Sequence, residues 1–142
     1  MKEQIEMIKE FDEAFGLDEM EFMSSSEERD ELLLGLILEE AEELQDAMSS
    51  LHSAYVAGDD YIGRRSMGEV LDAIGDLLYV VVGFAVRQQL PIEEIFNRVH
   101  ESNMSKLGAD GPIYRADGKL LKGPNFEEPY FEDILDEFWE LV

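Results

Sequence analysis

Between Leu36 and Met48 the chain reads LILEEAEELQDAM, which sets five acidic residues among side chains that otherwise suit the wall of a hydrophobic core. At about 100° per residue on a helix, Glu42 and Asp46 project away from the apolar stripe, Glu40 and Glu43 fall at its edge, and Glu39 sits just beyond them. Leu36 lies one turn before Glu40 and Ala47 one turn after Glu43, so two carboxylates share a flank that is apolar above and below. A second acidic set follows. Glu69, Asp72 and Asp76 are spaced i, i+3, i+7 on one stripe, and Asp76 immediately precedes the apolar run Leu77–Val86. If the two helices run antiparallel, the two sets face each other.

Carboxylates clustered at low dielectric repel one another, raise their pKa values and take up protons. A hard divalent cation removes that cost. Mg²⁺, with Mn²⁺ as an alternative, takes oxygen ligands and keeps several waters, so carboxylates without Cys or His form its natural set. The plainer reading is an acidic rim: surface helices are often rich in Glu, and acidic groups in a first turn complement the helix dipole. Capping explains Glu69 and partly Asp72, but not Asp76, which borders the buried segment. Two other metal sites are excluded by spacing. A di-iron bundle wants Glu-x-x-His, yet Ser49 precedes His52 and Asn97 precedes His100 by three residues. The segment DGPIYRADGKLL lacks the ligand spacing of a helix-loop-helix calcium loop.

Basic residues are concentrated too. Of 11 Lys and Arg, five fall between Arg98 and Lys122: Arg98, Lys106, Arg115, Lys119 and Lys122. A polyphosphate bridging metals needs cationic donors at its far end, and Asn103, Lys106, Lys119 and Lys122 lie in or beside one long loop. The alternative is that these lysines only solubilise the loop. Tyr114 and Phe126 could stack on a base or anchor the loop.

The elements that must position these groups are helical. Ile5, Ile8, Phe11 and Phe15 recur at helical spacing before a stop at Gly16. Serines 24–26 followed by glutamates predict a helix start, and Leu33, Ile37, Ala41, Leu44, Met48 and Leu51 give the apolar stripe of the second helix. A linker containing AGDDYIGRR follows, and Ser66 with Glu69 predicts a capping box opening the third helix. From Leu77 that helix is apolar on every side, so we expect it to be surrounded. A chain this short can hardly do so alone, which predicts a homo-oligomer, dimer or tetramer, with this helix near the contact. Pro91 suits the first position of a fourth helix through PIEEIFNRVHESNMSKL. GADGPIYRADGKLLKGPNFEEP reads as a long loop or an irregular hairpin turned at Asp117-Gly118, and Phe131, Ile134, Leu135, Phe138 and Val142 describe a short last helix. The expectation is an all-α bundle of four to five helices, a single domain over residues 1–142, with a long loop before the C-terminal helix.

Composition narrows the partners. With 34 acidic against 11 basic residues in 142, the formal net charge is -23, which argues against polymeric nucleic acid. Absence of cysteine removes disulfides, thiolate metal sites and thiol nucleophiles, and fits a reducing cytoplasm. No stretch reads as a secretory signal or membrane span, so a cytoplasmic protein without a membrane partner is expected.

Four stretches in this order, LILEEAEEL, DAIGDLLYVVVG, VHESNMSKL and DGKLLKGPNF, resemble the all-α nucleoside triphosphate pyrophosphohydrolases, the superfamily of MazG, dimeric dUTPases and phosphoribosyl-ATP pyrophosphohydrolases. The resemblance runs from about Leu33 to Phe126, closest to the MazG-like, phosphoribosyl-ATP pyrophosphohydrolase-like branch. It implies an oligomeric helical bundle in which Mg²⁺ ions, held by Glu-x-x-Glu and a later Glu-x-x-Asp, bind a nucleoside triphosphate that is cut between its α and β phosphates. Glu40 and Glu43 match the first pair, Glu39 the additional glutamate of this branch, and Asp76 the aspartate of the second pair. Ala73 stands where the second pair's glutamate is expected; Asp72, one turn before Asp76, takes its place, with Glu69 the weaker substitute. Asn103 and Lys106 match an Asn-x-x-Lys motif, and Lys119 and Lys122 the basic residues of a closing loop. On this reading Glu39 is the general base, Glu40, Glu43, Asp72 and Asp76 hold metal, and Asn103, Lys106, Lys119 and Lys122 bind the substrate. A house-cleaning or pyrimidine-nucleotide role is favoured; hydrolysis of phosphoribosyl-ATP and a non-catalytic acidic interaction module are the competing functions.

Overall fold

A computed structural model describes residues 1–17, 27–108 and 111–139. The fold is all-α, with helices α1 (Lys2–Phe15), α2 (Glu27–Ala57), α3 (Asp60–Arg87), α4 (Ile92–Met104) and α5 (Glu132–Trp139). Serines 24–26, expected to cap α2, and Val142 of the last stripe lie outside the described residues. No helix among the described residues is long and apolar enough to cross a membrane. The chain divides into two compact units, Met1–Leu90 and Pro91–Val142.

In the first unit α2 packs along α3, and α1 packs on α3. Only Gly58 and Asp59 separate α2 from α3, a connection that folds the pair back antiparallel. The seam is built from small or slender side chains: Leu33, Ala47 and Ala54 on α2, and Ser66, Val70 and Ala73 on α3, are buried. Gly63 faces α2, where a Cβ would make ordinary contact with that of Ala54 at 3.9 Å.

The start of α3 differs from the sequence expectation. Asp59 is the N-cap, its carboxylate accepting a hydrogen bond from Ile62 N at 2.9 Å, and the helix begins at Asp60. Ser66 is therefore buried well inside α3 rather than at its start, and Glu69 pairs with Arg65 at 3.0 Å. An Asp satisfying an orphan amide outweighed the glycines of the supposed linker. Pro91 likewise immediately precedes α4 as its N-cap.

Helix α1 ends at Gly16, in the left-handed conformation, as expected. It is fastened by one ion pair and one aromatic contact. Arg87 donates to the Asp12 carboxylate at 2.6 Å, with both side chains largely buried, and Phe11 meets Tyr79 edge to face at 5.7 Å between centroids. Ile8, on the same face of α1, is 1% exposed.

In the second unit, the chain between α4 and α5 is an irregular hairpin. Tyr114 and Leu120 form an isolated antiparallel bridge, Arg115 N donates to Lys119 O at 2.8 Å, and Gly118 turns the chain at φ 86°. Asp117 stabilises that turn by accepting from Lys119 N and from the Arg115 guanidinium. The returning strand is clasped to α4: Ser102 Oγ donates to Glu127 O at 2.7 Å, and Glu127 N donates to Ser105 Oγ at 2.9 Å. Arg98 of α4 joins α5 through Asp133 and also pairs with Glu94 and the Tyr130 carbonyl.

Two consequences can be measured. Asp12→Ala leaves the Arg87 charge without its buried counter-ion and is expected to lower stability by about 3 kcal/mol in chemical unfolding. The Arg98 guanidinium draws the Asp133 carboxyl down from 3.8 to about 2. Because the folded value is depressed, this attachment contributes fully above about pH 4 and is lost as pH falls through 2. A carbon-13 NMR titration of the Asp133 carboxyl should show that low midpoint, and Arg98→Ala should return it towards the ordinary range.

Candidate metal and phosphate site

Glu40 projects from α2 at the seam with α3 and is half-buried, two turns before the buried Ala47, whereas Glu39, Glu43, Asp72 and Asp76 are exposed. The Glu40 carboxyl is pushed above its ordinary range, first by burial, then by the charges of Glu43, Asp76, Glu39 and Asp72, in that order. The antiparallel pairing therefore lets Asp72 and Asp76 act on Glu40, although they follow it by 32 and 36 residues in the chain.

Glu69 is not among the charges acting on Glu40; it is held by Arg65 instead. Of the two candidates for the position vacated by Ala73, Asp72 is thus the one whose charge reaches the cluster. Ala73 itself is 4% exposed, in the seam between α2 and α3. A carboxylate there would have to be buried beside the others.

Cations are scarce at this cluster. Ion pairs elsewhere neutralise Asp12, Glu69, Glu94, Asp117, Glu128 and Asp133, but among the described residues no Lys or Arg pairs with Glu39, Glu40, Glu43, Asp72 or Asp76. The same residues contain no three His, Cys, Asp or Glu side chains already gathered closely enough to hold an ion. They are neighbours that repel, all of them hard oxygen donors. That donor chemistry fits a hydrated divalent cation such as Mg²⁺, which needs few direct carboxylate ligands.

The second unit carries the basic set. Lys106, just beyond α4, donates from Nζ to Asn103 Oδ1 one turn back, so the two residues of the Asn-x-x-Lys spacing form one polar group. Lys122 donates to Glu128 at 2.6 Å and lies over the Phe126 ring, 4.1 Å from its centroid. Lys119 follows the hairpin turn, and its ammonium forms no ion pair among the described residues. Phe126 is thus engaged by a lysine and half-buried, while the Tyr114 ring is exposed. A cavity of about 320 Å³ in this unit, bordered by Arg98, Ser102, Ser105 and Tyr130, contains none of these basic groups apart from the paired Arg98.

Sequence reasoning passed over the Ser102 and Ser105 clasp and the closeness of Gly123 to α4's end. A serine three residues from another serine carries no distinctive signal, and a glycine that makes room for backbone looks the same in sequence as one that makes a turn.

Residues 8–103 match the family described as phosphoribosyl-ATP pyrophosphohydrolase, and the chain belongs to that family, part of the MazG-like, all-α nucleoside triphosphate pyrophosphohydrolase superfamily. Membership implies a hydrolase acting on acid anhydrides, and such pyrophosphohydrolases are generally dependent on divalent metals. The matched segment includes the whole acidic cluster and Asn103 and ends before Lys106. No curated protein matches the chain.

If Glu43 and Asp76 are the strongest charges on Glu40, neutralising either should relax it. Glu43→Gln is expected to bring the Glu40 carboxyl down more than Asp72→Asn does, read by carbon-13 NMR titration without divalent metal.

Proposed function

We propose that this protein is a Mg²⁺-dependent nucleoside triphosphate pyrophosphohydrolase that converts an NTP or dNTP to the monophosphate and pyrophosphate. The observation that carries the reading is the set of five carboxylates on α2 and α3 that no Lys or Arg neutralises among the described residues, in a chain whose family hydrolyses phosphoric anhydrides. Glu40, Glu43, Asp72 and Asp76 hold the metal, for which Mn²⁺ can substitute. When bound, the cation offsets the carboxylate repulsion and polarises the phosphoryl oxygens.

Glu39 lies next to this set and is the member least needed as a ligand, so it acts as general base. It takes a proton from the attacking water; the water oxygen bonds to the α phosphorus, and the bond from that phosphorus to the bridging oxygen breaks. Pyrophosphate departs with that oxygen. Asn103, Lys106, Lys119 and Lys122 bind the polyphosphate, and the three lysines offset the charge that builds on the leaving group.

The substrate reading has a second arm. The matched family is described by phosphoribosyl-ATP hydrolysis, which favours that compound as an alternative substrate. The long basic hairpin, which lies outside the matched residues, supports a house-cleaning or pyrimidine-nucleotide role instead. Both are cytoplasmic functions.

Assembly into a homodimer or tetramer completes the proposal. Turned the same way from the α2–α3 seam, Leu34, Leu38 and Met48 on α2 and Met67, Leu71, Ile74 and Leu78 on α3 give the hairpin one apolar side, opposite the carboxylates. Leu71 is 66% exposed and Leu78 60%, an arrangement that a second copy would cover.

Purified protein should release pyrophosphate from at least one member of a panel of NTPs, dNTPs and phosphoribosyl-ATP with Mg²⁺, and EDTA should stop it. No release from any member would leave a non-catalytic acidic module. Glu43→Gln and Asp76→Asn should each abolish turnover, a loss of about a hundredfold or more, with the helical circular dichroism intact. Light scattering should give an oligomer for the wild type, and a smaller species for Leu71→Arg combined with Leu78→Arg.

A further inference from the structure

Gly123 comes closer to another part of the backbone than a side chain permits. A Cβ there would lie 2.5 Å from the Lys106 carbonyl oxygen and 3.3 Å from Gly108 N. Both obstacles are main chain, so no rotamer change relieves the clash. Nor is glycine required by conformation, because Gly123 is not among the residues with positive φ. It is there for space.

What the space achieves is visible in its neighbours. Lys122 precedes Gly123, and Lys106 supplies the carbonyl against which Gly123 rests, so the two lysines leave the chain on either side of one close contact. Phe126 N donates back to Gly123 O at 3.2 Å, a turn that brings the Phe126 ring beneath the Lys122 ammonium. Four residues beyond Gly123, Glu127 is fastened to Ser102 and Ser105 of the same α4 end. The segment from Lys122 to Glu127 is thus pinned at both ends to the residues that carry Asn103 and Lys106.

The geometry points to Gly123 as a positioning residue: lacking a side chain, it seats the returning strand on the Lys106 carbonyl and so holds the Lys106 and Lys122 ammonium groups at one spacing for a polyphosphate. This rests on the reading of those lysines as phosphate-binding groups. Restoring ordinary contact around an added methyl widens the seat by roughly an ångström, a displacement large enough to matter for paired charge-assisted hydrogen bonds.

The test is calorimetric titration of the full chain with inorganic tripolyphosphate, Mg²⁺ present, beside steady-state nucleotide hydrolysis. Gly123→Ala should weaken tripolyphosphate by about tenfold and raise KM by a similar factor, with kcat within about twofold. Adding it to Lys122→Ala should cost less than the product of the two separate losses. Unchanged affinity, full additivity with Lys122→Ala, or a fall in kcat at constant KM would overturn the inference. If Gly123→Ala does not fold, Ser105→Ala loosens the other pin, and unchanged affinity in that variant overturns it equally. A wild type that binds tripolyphosphate but hydrolyses no nucleotide defeats the hydrolase reading alone; one that hydrolyses nucleotides without binding tripolyphosphate defeats the positioning role alone.

Discussion

Like charge held at a helix seam is the constraint around which the first unit is arranged. Glu40 sits half-buried between α2 and α3 with four further carboxylates acting on it, and each raises the cost of its ionisation. The repulsion is offset by packing. Ala47, Ala54, Val70 and Ala73 let the two long helices approach closely, and α1 adds the buried Asp12–Arg87 pair and the Phe11–Tyr79 contact along α3. A scaffold with fewer buried contacts would relieve the repulsion by separating the helices.

The distribution of cations sharpens this picture. A chain with 11 basic residues against 34 acidic ones has few counter-ions to spend, and the described pairs lie elsewhere: at the α1 dock, at the start of α3, at the α4–α5 junction and in the hairpin. The Arg65–Glu69 pair lies within α3, while the others fix one element to another or brace the hairpin segment. The five carboxylates of the seam have no such partner among the described residues, so no internal arginine or lysine offsets their repulsion there.

In the second unit the organising device is backbone proximity rather than charge. Arg98 ties α4 to α5, while Ser102, Ser105 and Gly123 tie the returning strand to the end of α4. The lysines then extend from main chain that is held at several points. The partners of Lys106 and Lys122, namely Asn103, Glu128 and the Phe126 ring, are exposed or half-buried side chains.

Periodicity and residue chemistry were enough to establish an all-α chain, the stop at Gly16 and the turn at Asp117-Gly118, and to nominate the candidate acids and lysines; of the expected α2 stripe, Leu33, Ile37, Leu44 and Leu51 are buried or half-buried, while Ala41 and Met48 are exposed. These are local properties: a 3.6-residue period, a left-handed glycine and an oxygen donor set are each written within a few neighbouring residues. Sequence alone did not place the start of α3 at Asp60, because Ser66 with Glu69 is also a locally sound helix start; in the fold Asp59 caps the helix and Ser66 is buried inside it. Sequence preferred Asp72 to Glu69 on stripe position alone; that Arg65 engages Glu69 is a fact of the folded helix. The reach of the Asp76 charge to Glu40 and the seating of Gly123 on Lys106 belong to tertiary structure alone, since both relate groups distant along the chain, and only the folding back of one segment on another sets their separation.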